Sequence, residues 1–121
     1  MELTIPGAVT RAAREFGDRT ALAEPGGPRL SYRELGEQVA TVAAALTGCD
    51  LAPGDRVAVW GPNDRYWLLT ALGTLAAGGV LVPVSTRFTG PEALDVIGRS
   101  GARWLFVADD FLGVDLSLIH I

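Results

Sequence analysis

Three short apolar runs, Arg56-Val57-Ala58-Val59-Trp60, Val80-Leu81-Val82-Pro83-Val84 and Trp104-Leu105-Phe106-Val107, decide how the rest of the chain is read. Each is rich in β-branched or aromatic residues and none alternates strictly with polar ones. That pattern belongs to strands covered on both faces, as in parallel sheets. Helix-length stretches separate them, from about Asp64 to Ala77 and from about Pro91 to Arg99. Strand, helix, strand, helix, strand predicts a parallel sheet with right-handed crossovers.

The boundaries carry their own chemistry. Asn63 is placed to cap the first of these helices, and Gly78-Gly79 to end it. Thr89-Gly90-Pro91-Glu92 has the T-x-x-E form of a capping box, and Gly101 follows the second helix. Tyr66 to Thr86 is a run of 21 uncharged residues, long enough to raise the question of a membrane span. Pro83, Ser85, three threonines and the glycine pair interrupt it, which favours a buried helix, turn and strand.

Upstream, Thr4 caps a predicted helix with Pro6 in its first turn, Ile5, Val9, Ala12, Ala13 and Phe16 at helical spacing, and Gly17 as its stop. Thr20 to Glu24 and Arg29 to Ser31 flank Pro25-Gly26-Gly27-Pro28, which reads as a hairpin. Ser31-Tyr32-Arg33-Glu34 is a second capping box. It opens a helix to about Thr47 that carries Leu35, Val39, Val42, Ala43 and Leu46 on one face and closes at Gly48. The fold class is therefore α/β, a partial three-layer α/β/α parallel sheet preceded by a helix and a β-hairpin.

Composition narrows the function. The chain has 121 residues, enough for one small domain or a piece of a larger one, and 49% are hydrophobic against 20% charged. A net charge of -4 without basic runs argues against nucleic acid or an anionic membrane surface as partner. Met1-Glu2-Leu3-Thr4 lacks the features of a secretory signal. With Cys49 as its one cysteine the chain holds no internal disulfide, and with His120 as its one histidine it has too few soft ligands for structural zinc; a cytoplasmic location fits.

All ten basic residues are arginine. Without lysine there is no phosphate-loop lysine and no Schiff base. No G-x-G-x-x-G fingerprint occurs, and no histidine stands ready to activate a nucleophile. Accordingly no residue is assigned as catalytic, cofactor-binding or metal-binding. Ligands of open parallel sheets approach the carboxyl ends of the strands, here Gly61 to Asn63, Ser85 to Arg87 and Asp109-Asp110. Each has a simpler reading: Asn63 as a helix cap, Arg87 as partner of Glu92, and Asp109-Asp110 as a solvated turn. Tyr66, Trp67 and Trp104 are expected in the core, and Cys49 as an incidental small apolar residue.

The order of motifs says more than any one residue. Leu30-Ser31-Tyr32-Arg33-Glu34-Leu35 resembles the L-[ST]-Y-x-E-L motif of the adenylate-forming enzymes, the superfamily of acyl-CoA synthetases, peptide-synthetase adenylation domains and luciferases. Pro53-Gly54-Asp55-Arg56-Val57-Ala58-Val59 and Gly61-Pro62-Asn63 resemble that family's first strand and turn, and Leu75-Ala76-Ala77-Gly78-Gly79-Val80-Leu81-Val82-Pro83-Val84 its L-x-A-G-x-x-x-V-P motif. The stretch from Arg87 through Ser100-Gly101-Ala102 to Phe106-Val107 continues the likeness, which covers Thr4 to Asp115. Ser85-Thr86-Arg87-Phe88-Thr89 and Phe111-Leu112-Gly113-Val114-Asp115 look most like acyl-CoA ligases acting on propionate-bearing steroid-ring remnants.

The resemblance implies the start of the family's large domain. Its parent would join a small-molecule carboxylic acid to CoA with ATP and Mg²⁺, through an acyl-adenylate, releasing pyrophosphate and AMP. The phosphate-gripping loop, metal-binding glutamate, ribose-binding aspartate and lysine of that chemistry would lie downstream, leaving residues 4–115 inactive alone. Leu116-Ser117-Leu118-Ile119-His120-Ile121 departs from the family pattern and matches a translated sequencing adapter, so residues 116–121 are expected to be a non-native tail. Two rivals stay open: an adenylation domain that loads a carrier protein, and a free-standing small α/β binding module.

Overall fold

The computed structural model describes residues 4–108. Helix α1 spans Ile5–Phe16, with the Thr4 hydroxyl accepting from the Gly7 amide at 3.0 Å. Its apolar stripe divides: Val9 packs inward, Ile5 is exposed, and the Phe16 ring tilts against Tyr32 at 5.8 Å between centroids. Strands β1 (Thr20–Ala23) and β2 (Arg29–Ser31) form the antiparallel hairpin, closed by the Gly27 amide donating to the Glu24 carbonyl at 3.0 Å.

Helix α2, Tyr32–Gly48, begins at the expected capping box. The Glu34 amide donates to Ser31 Oγ at 3.1 Å while the Ser31 amide donates to the Glu34 carboxylate at 2.9 Å. Both orphan amides are thereby satisfied. Leu35, Val39 and Leu46 are buried along one face.

The second half follows as β3 (Arg56–Trp60), α3 (Arg65–Ala76), β4 (Val80–Val84), α4 (Gly90–Ser100) and β5 (Trp104–Val107). All three strands are parallel in the order β4-β3-β5. In register, Val57 lies beside Leu81 and Trp104, and Trp60 beside Val84 and Val107. Side chains alternate across a strand, so two cores form. Val57 and Val59 join Leu46 and Leu51 beneath α2 and α3, while Ala58, Trp60 and Val84 meet Ala93 and Ile97 of α4. A smaller cluster of Leu35, Val39 and Leu69 takes up Val9 and Ala21, attaching α1 and the hairpin. The result is three layers, α/β/α.

Gly73 sets the spacing of the two helices on the first face. A Cβ there would lie 2.7 Å from Val42 Cβ, so α3 approaches α2 at a distance that only glycine permits. Gly78, with φ at 87°, makes the turn from α3 into β4 in the left-handed region.

Two expectations need correction. Asn63 does not cap α3; the next residue does, with the Asp64 carboxylate accepting from the Trp67 amide at 2.9 Å. A carboxylate is the stronger acceptor and also favours the positive helix end. Nor are all the strands covered on both faces. Central β3 is buried from Val57 to Trp60, whereas Val80 of β4 and Phe106 of β5 are exposed, because each edge strand has one neighbour and incomplete helix cover. The long uncharged run resolves into α3 and β4, and among the described residues no helix is long and apolar enough to cross a membrane.

Candidate functional site

At the carboxyl ends of β3 and β5 the sheet opens into a cleft of ≈ 470 Å³. Gly61 and Pro62 form its base, Val107 and Ala108 one wall, and Tyr66 and Trp67 of α3 the other. The fold places it there for a simple reason: the chain leaves β3 at Gly61, turns, and starts α3 over the end of the sheet, on the side where Phe106 is uncovered.

Tyr66, expected in the core, stands 62% exposed at the cleft rim. The Arg65 guanidinium lies over its ring, 4.4 Å from the centroid, and donates to its phenolic oxygen at 2.7 Å. One face of the ring is thus occupied by the cation and the hydroxyl is engaged. Trp67 and Trp104 are partly buried against Val57 and Val59, as expected, although the buried Trp104 indole N–H has no partner among the described residues.

The sequence-derived positions separate. Gly61 and Pro62 reach the cleft, but Asn63 does not line it. Ser85 to Arg87 stand at the end of β4, beyond Trp60, whose indole donates to the Ser85 carbonyl at 3.1 Å. Ser85 Oγ accepts from the Arg87 amide at 3.2 Å, which closes the turn. The expected Arg87–Glu92 pair is not formed: the Glu92 carboxylate accepts from the Thr89 amide at 3.1 Å in the second capping box. Those bonds stabilise the charged form and hold both Glu92 and Glu34 below the usual carboxylate range, the amides of Thr89 and Ser31 being the main cause and their hydroxyls the next. Asp109-Asp110, the stretch Phe111 to Asp115 and the tail 116–121 lie outside the described residues. Cys49 is free and exposed at the carboxyl end of α2.

Sequence reasoning anticipated none of the ion pairs, two of which join residues 41 and 48 positions apart. Glu24, from the hairpin, accepts from the Arg65 amide and pairs with its guanidinium at 3.1 Å; Asp55 accepts from the Ala52 amide at 2.9 Å and pairs with Arg103 at 2.8 Å. No local spacing announces contacts between residues so far apart in the chain. Chemically the cleft presents apolar walls and one carboxylate, Asp64, already committed to its helix. It can receive an apolar group, and among the described residues that line it the polar side chains are those of Asp64, Tyr66 and Thr70, with the Trp67 indole.

A family model described as AMP-binding enzyme matches residues 9–119. Over 112 residues the chain is 50% identical to 3-[(3aS,4S,7aS)-7a-methyl-1,5-dioxo-octahydro-1H-inden-4-yl]propanoyl:CoA ligase of Rhodococcus jostii, covering 93% of this chain and 22% of that protein. The Mycobacterium tuberculosis protein of the same name is 42% identical with the same two coverages. Fatty acid--[acyl-carrier-protein] ligase ScoC of Streptomyces coeruleorubidus is 40% identical over 85 residues, 70% of this chain and 16% of that one. Among solved structures, the Klebsiella oxytoca NpsA N-terminal subdomain in complex with 3-hydroxyanthranilyl-AMSN superposes with a TM-score of 0.81 at 30% identity, over 95% of this chain and 28% of that one. The chain spans less than a quarter of the length of the curated relatives it matches.

Proposed function

The chain belongs to the AMP-binding enzyme family, and from that premise we propose that it is the amino-terminal part of an ATP-dependent acyl-CoA ligase whose acid is a propionate carried on a steroid-derived ring system. The observation that carries the reading is the 50% identity to the Rhodococcus propanoyl:CoA ligase across nearly the whole chain. In this reading the carboxylate oxygen attacks the α-phosphorus of ATP and displaces pyrophosphate. The CoA sulfur then attacks the acyl carbon of the adenylate and displaces AMP.

None of that chemistry is assigned to residues of this chain. Glu34 and Glu92 close capping boxes, Asp64 caps α3, and Glu24 and Asp55 are paired with Arg65 and Arg103. Among the described residues no group of three or more carboxylate, histidine or cysteine side chains is gathered to hold a metal, and these five carboxylates, so engaged in a chain without lysine, do not fit a site for Mg²⁺ and ATP. We place ATP, Mg²⁺ and CoA on the remainder of the parent. The contribution of this chain is architectural: the parallel sheet, its two helix layers and the apolar cleft at its carboxyl end. A cytoplasmic location is part of the same proposal, since ATP and CoA are its substrates.

The purified 121-residue chain is expected to show no ATP–pyrophosphate exchange with ring propionates or simple carboxylic acids; measurable exchange overturns the assignment of the active site to the remainder. Genomic sequence past codon 115 is expected to encode a Ser/Thr/Gly-rich phosphate loop and, later, a lysine. The full-length product should form acyl-CoA from a ring propionate. A second reading, transfer to a carrier protein, draws on the 40% identity to ScoC. It replaces the first if the full-length product loads a phosphopantetheinyl carrier in preference to CoA.

A further inference from the structure

We infer that the β1–β2 hairpin is a strap across the start of α3, in which Glu24 caps that helix from 41 positions away and Gly27 leaves the space through which the strap closes. The strap is a property of this chain by itself, whatever the parent polypeptide does.

A helix leaves its first amides without partners inside the helix. In α2 and α4 a local capping box answers part of this need, with Glu34 and Glu92 at the third helical position. The third helical residue of α3 is Trp67, which has no carboxylate to offer. The start of α3 draws on three acceptors instead. The Asp64 amide donates to the Pro62 carbonyl at 2.9 Å, the Trp67 amide to the Asp64 carboxylate at 2.9 Å, and the Arg65 amide to the Glu24 carboxylate at 2.5 Å. The last of these comes from the residue after β1, and its charge also suits the positive end of the helix.

The same carboxylate holds the Arg65 guanidinium at 3.1 Å, with 25% of the Arg65 side chain and 23% of the Glu24 side chain exposed. A pair so covered is screened less than one in open water. The guanidinium in turn donates to the Tyr66 hydroxyl at 2.7 Å, at the rim of the cleft. Gly27 shows that the strap is fitted to its place. Gly26 needs glycine for its φ of 72°, but Gly27 lies outside the left-handed region. Space is what excludes a side chain there: a Cβ would stand 3.0 Å from Glu24 Cβ, 3.1 Å from Glu24 Oε2 and 3.7 Å from Arg65 Nη1. A larger residue at position 27 pushes the carboxylate off the start of α3.

Residue-resolved amide hydrogen exchange on the 121-residue chain tests the strap. The first amide of a helix exchanges freely unless a group outside the helix accepts from it, so Arg65 reports on Glu24 directly. Glu24→Ala should speed exchange at Arg65 at least about tenfold relative to Val59 in the central strand, and Gly27→Ala should act in the same direction. Glu24→Gln keeps an oxygen for the amide and loses the charge, so its effect should be the smaller. Arg65→Met keeps the backbone bond and should leave the amide at position 65 protected. Arg103→Gln, which removes the other long-range ion pair, should not change the ratio. Equal ratios in Glu24→Ala and the unmodified chain overturn the inference, as does an Arg65→Met chain that loses as much protection as Glu24→Ala. An effect of Arg103→Gln as large as that of Glu24→Ala also overturns it, because general loosening then accounts for both. If Glu24→Ala does not fold, Gly27→Ala, which retains the carboxylate, decides: an unchanged ratio there refutes the strap.

Discussion

Replacing Gly73 by alanine puts the packing of α2 on α3 to a quantitative trial. Alanine is the better helix former by about 1 kcal/mol, so at an open site the exchange stabilises. Position 73 is not open: the new methyl would stand 2.7 Å from Val42 Cβ and closer still to Cγ1. Carbon atoms rest comfortably at about 3.5–4.0 Å, so the helices must part by about 1 Å. Rotating Val42 moves Cγ1 but not Cβ, which removes the easy relief. Overpacking costs about 1–3 kcal/mol, and a rigid obstacle points to the upper end. Subtracting the propensity gain leaves a net loss of about 2 kcal/mol. Gly98 of α4 supplies the comparison, because a Cβ there meets nothing within 4 Å and Gly98→Ala should stabilise by about 0.5 kcal/mol. Urea titration followed by circular dichroism reads both. Val42→Ala in the Gly73→Ala background should recover part of the loss. A Gly73→Ala chain at least as stable as the unmodified one refutes the helix spacing.

Three further outcomes follow from the caps and the thiol. Asp64→Ala should destabilise by about 1 kcal/mol and Asn63→Ala by much less, as measured by the urea midpoint, because Asp64 bonds the Trp67 amide. Glu34 and Glu92 have folded-state pKa values lowered by their capping bonds, so their contribution is present above the ordinary glutamate range and is lost as the pH falls through the folded values. Stability measured from about pH 6 to pH 3 should therefore decline less steeply in the double variant Glu34→Gln, Glu92→Gln than in the unmodified chain; identical slopes would remove the caps from the acid response. Cys49, free and exposed, should react with a disulfide reagent as fast in the folded chain as in urea, and slow reaction would place it elsewhere.

Most of the backbone was legible because its signals are local. The two capping boxes, the Pro-Gly-Gly-Pro hairpin turn and the glycine after α4 occupy the positions expected of them, since each depends on residues within one turn. Asn63 against Asp64 is the residual ambiguity of that kind: neighbouring side chains can both cap, and the exit of the chain from Gly61 selects one. Coverage of the strands was less legible. An apolar run states that a strand prefers burial, not that helices suffice to bury it, and Val80 and Phe106 show the difference. For the cleft, sequence marked Gly61 and Pro62 through the general position of strand ends. It misplaced Tyr66, which stands exposed at the start of α3 beneath the Arg65 guanidinium instead of entering the core. Arg87 likewise depended on a choice made by Glu92 between a guanidinium and the backbone of its own helix.

The contact between Glu24 and Arg65 joins residues 41 positions apart, and it fastens the hairpin to the first turn of α3. Tyr66 is the very next residue. The hairpin and the tyrosine rim are therefore fastened together through one carboxylate, so a break at Glu24 would release the start of α3 and the ribbon at once.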